Sequence, residues 1–213
     1  MTVEIRRGTA RFESRSQGLL TRHSFSFGDR YDPDNVAFGP LVCHDDHLLA
    51  AGRGFEEHRH ADVDIVTWVV SGALRSEPGG VLEPGSVAIT HAGDGLAHAE
   101  VAEVSGTRFV QAWLRSEGGT PSREVVPVPL DSGLTVACEL AGATLRIGRL
   151  ARGETVTLGD APLQQVYVVT GALARSSLAE PLAAGDAFRI TDHPGLVLTA
   201  AAPTELMVWD LGR

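Results

Sequence analysis

The segment Trp68-Val69-Val70-Ser71-Gly72-Ala73-Leu74 returns as Tyr167-Val168-Val169-Thr170-Gly171-Ala172-Leu173, displaced by 99 in a chain of 213 residues. Gly85-Ser86-Val87-Ala88-Ile89-Thr90 returns as Gly185-Asp186-Ala187-Phe188, displaced by 100, and Thr191 continues the match after a one-residue slip. Self-similarity at a fixed period means that one structural unit has been used twice. The chain is therefore read as two copies of a unit of about 100 residues.

Within each copy the apolar runs are short, rich in Val, Ile, Leu, Thr and aromatics, and broken by Gly, Pro or Asp at roughly 8 to 12 residue spacing. Long helical periodicity is scarce. This rhythm predicts strands over 48–51, 65–70, 86–90, 107–114, 144–150, 166–170, 187–190 and 205–210. The expected fold is all-β, a duplicated barrel. Ser116-Glu117-Gly118-Gly119-Thr120-Pro121-Ser122 has a linker's composition, which places the domains at 1–118 and 119–213.

Net charge is −9, with 27 acidic residues against 18 basic ones, and every basic residue is arginine. No basic face able to follow a phosphate backbone is expected, so direct nucleic-acid binding is excluded. The absence of lysine removes Schiff-base chemistry and a P-loop. No stretch approaches the roughly 20 apolar residues of a membrane helix. The opening Met1-Thr2-Val3-Glu4-Ile5-Arg6-Arg7 lacks the apolar core of a secretion signal. Cytoplasm is the expected location and a monomer the expected state. Cys43 and Cys138 lack metal or disulfide spacing and are expected as small core residues.

The chemistry concentrates in the first copy. His58-Arg59-His60 stands just ahead of an apolar strand, and alternate strand residues share a face, so both imidazoles aim into one cavity while Arg59 faces solvent. Some forty residues on, a Gly93-Asp94-Gly95 turn feeds Leu96-Ala97-His98-Ala99-Glu100, where His98 and Glu100 again share a face. Three neutral imidazoles and one carboxylate suit a divalent first-row metal such as iron and leave one or two positions open. Manganese, nickel, copper and zinc also accept such a set.

The second copy serves as an internal control. His58 and His60 plus 99 fall on Thr157 and Gly159, and His98 and Glu100 plus 100 fall on Leu198 and Ala200. One functional barrel and one structural partner are expected.

Elsewhere, His23, His44, His47 and His193 lie in polar stretches read as loops, outside the metal site. Asp45-Asp46 is read as a turn. Asp64 is read either as a hydrogen-bond partner of a metal-bound histidine or as an outward aspartate. His91 is read either as a similar partner or as an ordinary half-exposed histidine.

Gly52 followed by His58-Arg59-His60 resembles the first cupin motif, and Gly95-Leu96-Ala97-His98 the core of the second. The nearer resemblance is to the pirin family. It is carried by His23-Ser24-Phe25-Ser26-Phe27 with Tyr31-Asp32-Pro33, by Gly54-Phe55, by Ile65-Val66-Thr67-Trp68-Val69-Val70-Ser71-Gly72, and by Ala92-Gly93-Asp94-Gly95-Leu96-Ala97-His98-Ala99-Glu100. The resemblance implies two tandem cupin-type (jelly-roll) barrels, the second degenerate. It implies iron held by His58, His60, His98 and Glu100, with Gln111 lining the cavity. It also implies either of two activities. One is dioxygenation of a flavonol such as quercetin, with a small aromatic substrate, O2, and Glu100 as catalytic base. The other is a redox-sensing role toward a protein partner, a transcription factor or metabolic enzyme. This chain departs from the family's pattern at Arg59, Ala99 and Asp64, and in Leu74-Arg75-Ser76-Glu77-Pro78-Gly79-Gly80, read as a shortened loop without the usual histidine.

Overall fold

The structure is a computed structural model that describes residues 2–130, 133–175 and 180–212. It is built of antiparallel strands, with one 3-10 turn at Gly8–Ala10. The leading strands are β1 (Thr2–Arg6), β2 (Phe12–Ser16), β3 (Leu19–His23), β4 (Leu41–Leu49), β5 (Gly54–His60), β6 (Val63–Ser71), β7 (Leu74–Glu77), β8 (Gly80–Leu82), β9 (Ser86–His91), β10 (Leu96–Ala102), β11 (Thr107–Arg115) and β12 (Ser122–Pro127). Then follow β13 (Gly133–Leu140), β14 (Ala143–Leu150), β15 (Thr155–Thr157), β16 (Leu163–Thr170), β17 (Ala172–Leu173), β18 (Leu182–Ala183), β19 (Ala187–Thr191), β20 (Val197–Thr199) and β21 (Thr204–Leu211).

The first unit comprises Phe12–Ala37 and Leu41–Pro127. Its large sheet runs β12-β9-β6-β11-β4-β3-β2 and its small sheet β5-β10-β7-β8. Strand alternation turns Leu49, Val69, Leu74, Leu82, Ala88, Ala102 and Phe109 into one apolar cluster. Burying each large member contributes about 1.5–3 kcal/mol. The second unit has a six-stranded sheet, β1-β19-β16-β21-β14-β13, and the short pairs β15-β20 and β17-β18. Its core joins Leu150, Val166, Val168, Phe188, Ile190, Leu198, Leu206 and Val208.

The repeated glycine has the same physical cause in both units. Gly72 and Gly171 sit at φ +78° and +79°, where a side chain would be strained and a Cβ would collide with Thr107 or Thr204. Thr107 Oγ1 donates to the Ala73 carbonyl at 3.2 Å, and Thr204 Oγ1 to the Ala172 carbonyl at 2.9 Å. The duplication is thus a conserved piece of turn chemistry as well as of hydrophobic pattern.

Three readings of the sequence are corrected. Asp45 and Asp46 do not form a turn. They lie inside β4 with His44 and His47, and His23 ends β3; all five are buried. Polar strand residues are tolerated there because they are paired: Asp46 takes a bidentate bond from Arg108 at 3.0 and 2.6 Å, and Asp45 holds His23. The segment after Gly72 is the β7–β8 hairpin rather than a loop, with Ser76 in register with Glu100. Two strands also cross the expected cut at 118/119, since β12 extends the first unit's sheet beside β9 and β1 extends the second unit's beside β19.

Candidate metal centre

β5 and β10 are neighbours, with His58 opposite His98 and His60 opposite Leu96. Directly opposed residues of an antiparallel pair project to the same face, so strand pairing alone brings the two imidazole-bearing segments together. The register then slips. Glu100 stands opposite Phe55, leaving Glu56 and Glu57 to face Ala99 alone. This bulge frees a carbonyl from the ladder, and Glu56 O accepts the His58 Nδ1–H at 2.7 Å. The His58 tautomer is thereby set, with the Nε2 lone pair facing inward.

That nitrogen lies 3.1 Å from His98 Nε2. Two imidazole nitrogens at such a distance require a proton or a cation between them. His60 Nε2 is buried without a hydrogen-bond partner, and one donor nitrogen from each of the three rings lies within 4.8 Å of the others. Nitrogens sharing an ion at about 2 Å stand roughly 3–3.5 Å apart, so the three rings would draw together around one. Burial, reinforced by the charge of His58, lowers the His60 pKa to about 4. His98 is lowered to about 4 by burial first and then by His58, His60 and Arg123. Both are therefore neutral near pH 7, the form that binds metals. The residues present fit a divalent cation.

Glu100 is buried, lines cavities with His98 on one side and His58 on the other, and stands outside the three-nitrogen group. Gln111 Nε2 donates to its two oxygens at 2.9 and 3.2 Å and to Thr67 Oγ1 at 3.2 Å. Trp113 Nε1 donates to Gln111 Oε1 at 2.9 Å. Burial raises the Glu100 pKa, partly offset by the Gln111 bond. Arg123, in turn, is lowered by its own burial while the Glu100 charge opposes that. It reaches from β12 to donate to Gly79 O at 2.7 Å, and closes the barrel behind His98 and Glu100.

On the other side the cluster opens into a cavity of about 560 Å³ whose wall includes His58, Glu100, Gln111, Phe27, Phe55 and Trp113. The His60 ring meets Trp113 edge-on at 4.8 Å, which fixes its plane.

The remaining expected residues fall as follows. Asp64 pairs with His91 Nδ1 at 2.6 Å rather than with any of the three clustered histidines, so each answers the other's polarity. Arg59 points away from the cluster and donates to the Asp94 carbonyl at 2.5 Å, bracing the glycine turn. In the second unit Thr157, the counterpart of His58, pairs with Val197, and Leu198 and Ala200 belong to the apolar core. Among the described residues, the three histidines of the first unit form the one cluster with metal-ligand spacing.

Trp113, Thr67 and Arg123 escaped sequence reasoning. Trp113 was legible, because it lies two residues beyond Gln111 on one strand and so shares its face. Arg123 was not, since it follows a linker-like stretch.

The chain matches the family model described as Pirin over residues 5–114. It is 38% identical to a Mycobacterium tuberculosis protein named "Putative quercetin 2,3-dioxygenase Rv0181c", with 99% of this chain and 95% of that one covered. It is 31% identical to a pirin-like protein of Caulobacter vibrioides over 90% of this chain and 92% of the other. A bacterial pirin from Escherichia coli, YhhW, solved in complex with nickel(II), superposes with a TM-score of 0.90 at 23% identity, covering 99% of each chain, which establishes the shared bicupin fold. By sequence and by architecture the chain belongs to the pirin family.

Proposed function

We propose that this protein is a metal-dependent dioxygenase of flavonols, with a quercetin-like 3-hydroxy-4-keto compound as substrate. The observation that carries the reading is the three-imidazole cluster opening, beside Glu100, into a cavity walled by Phe27, Phe55 and Trp113. The names of relatives, including a quercetin 2,3-dioxygenase of Escherichia coli 31% identical over 57% of this chain, support the substrate class.

His58, His60 and His98 would hold the ion, most simply Fe(II), with Glu100 as the fourth candidate ligand. A bound divalent cation supplies Lewis acidity toward vicinal hydroxy and keto oxygens and redox reach toward O2. The protein's own part is orientation and proton transfer. The aromatic wall receives a flat ligand on its faces. Glu100, whose proton affinity is raised by burial, accepts the 3-hydroxyl proton at a carboxylate oxygen. Gln111 holds that carboxylate in place through its amide, and Trp113 holds Gln111.

Oxygen uptake with quercetin, measured on metal-replete protein, tests the reading. Sustained uptake that stops on chelation supports it. Absence of uptake, with binding to a partner protein that depends on the oxidation state of the iron, would replace it with the redox-sensing role.

A further inference from the structure

A second constellation stands in the same cavity wall and shares no residue with the metal cluster. Asp45 Oδ2 lies 2.6 Å from His23 Nδ1, and His23 Nε2 lies 2.9 Å from Ser14 Oγ. Three separate strands supply the members: β2 gives Ser14, β3 His23 and β4 Asp45. His23 is directly opposite Asp45 in the ladder. All three line the 560 Å³ cavity.

The burial is graded in a way that matters chemically. The His23 and Asp45 side chains are 4% and 6% exposed, whereas Ser14 is exposed. A buried carboxylate that accepts Nδ1–H fixes the tautomer and leaves Nε2 as the acceptor, toward which the Ser14 hydroxyl donates. The hydroxyl is then the member a solute meets. β2 is the terminal strand of its sheet, so Ser14 stands at the rim of the cavity, open to a solute. Phe27 stacks on His23 at 4.9 Å and meets Trp113 edge-on at 6.0 Å, giving the site an aromatic floor.

We infer that Ser14, His23 and Asp45 form a metal-independent acyl-transfer site that hydrolyses small, uncharged aryl esters. Ser14 Oγ bonds to the acyl carbon as its proton passes to His23 Nε2. The carbonyl electron pair moves to oxygen and returns, breaking the bond to the aryl oxygen, which leaves with the proton from His23. Water, deprotonated by the same nitrogen, attacks the acyl-serine and releases the carboxylic acid, restoring the hydroxyl. Asp45 is a positioning residue throughout.

The probe is p-nitrophenyl acetate, applied to the full-length protein before and after chelation. Phenylmethylsulfonyl fluoride followed by peptide mass spectrometry locates the nucleophile. The expected result is p-nitrophenolate release insensitive to chelator, with the sulfonyl group on Ser14. Ser14→Ala, an exposed change that leaves the circular dichroism spectrum unaltered, lowers the rate by about 100-fold or more. Hydrolysis no faster than buffer, an undiminished rate in Ser14→Ala, a label on another residue, or loss of hydrolysis on chelation would each overturn the assignment. None of these results bears on oxygen uptake with quercetin, so the two activities stand or fall separately.

Discussion

Trp113 Nε1–H donates to Gln111 Oε1 at 2.9 Å, and that bond decides which end of the Gln111 amide faces Glu100. With the oxygen so occupied, Nε2 is the group presented to the carboxylate. Replacing Trp113 by Phe retains an aromatic wall and removes the donor. Turnover with flavonol is expected to fall between roughly 10- and 100-fold through misplacement of Glu100, with a loss of about 1 kcal/mol in stability. Steady-state kinetics and urea denaturation check both. Unchanged kcat would remove the Trp113–Gln111 link from the mechanism.

Glu100→Gln separates binding from proton transfer. The neutral isostere accepts the Gln111 hydrogen bond, so the metal is retained at reduced affinity while turnover is lost. The metal-free variant is expected to be more stable than the wild type at neutral pH, because burial disfavours the charged carboxylate. Metal analysis, oxygen uptake and thermal melts give the three readouts, and undiminished turnover would exclude Glu100 as the base.

The pH response of the metal-free protein follows from burial of two imidazoles. His60 and His98 titrate near 4 rather than at their ordinary 6.5. Between those values the unfolded chain binds more protons than the folded one, so stability rises with pH. Their contribution is full above about pH 6.5 and is lost as pH falls to about 4. Glu100 acts in the opposite sense, so the cleanest test is made on Glu100→Gln. Its melting temperature should drop across that window while NMR follows both rings titrating near pH 4. Midpoints near 6.5 would contradict burial as the cause.

His60→Gln removes the nitrogen that has no partner within the protein. A divalent ion at 100 times its Kd stabilises a protein by about 2.7 kcal/mol, so the wild type should show a clear rise in Tm on adding Fe(II) or Ni(II). The variant should lose most of it. Equal shifts in the two proteins would place the ion elsewhere.

Gly54→Ala probes the strand pairing that assembles the cluster. A Cβ at Gly54 would collide with the Glu100 carbonyl, forcing β5 and β10 apart. A loss of about 3 kcal/mol is expected, together with weaker metal binding by calorimetry. Wild-type Tm would show that the strands yield at no cost.

The duplication, the all-β class and the three-histidine cluster were legible because each rests on short runs of sequence. Gly72 and Gly171 announce the same turn, and His58, His60, His98 and Glu100 lie on two short strands. What escaped depends on strands distant in sequence becoming neighbours. Asp45 and Asp46 look like a turn until Arg108 and His23 are seen beside them. Asp64 was free to serve a metal ligand until β9 brought His91 to it. Ser14, His23 and Asp45 share no motif, and ladder register alone unites them.

The extra residue in β5 ties coordination chemistry to chain length. Deleting Glu57 would let that strand run evenly against β10, with every side chain still at its station. The His58 ring, however, would lose the carbonyl that pins it and would be free to spin. A shortened relative could thus look intact in outline and yet grip its ion poorly.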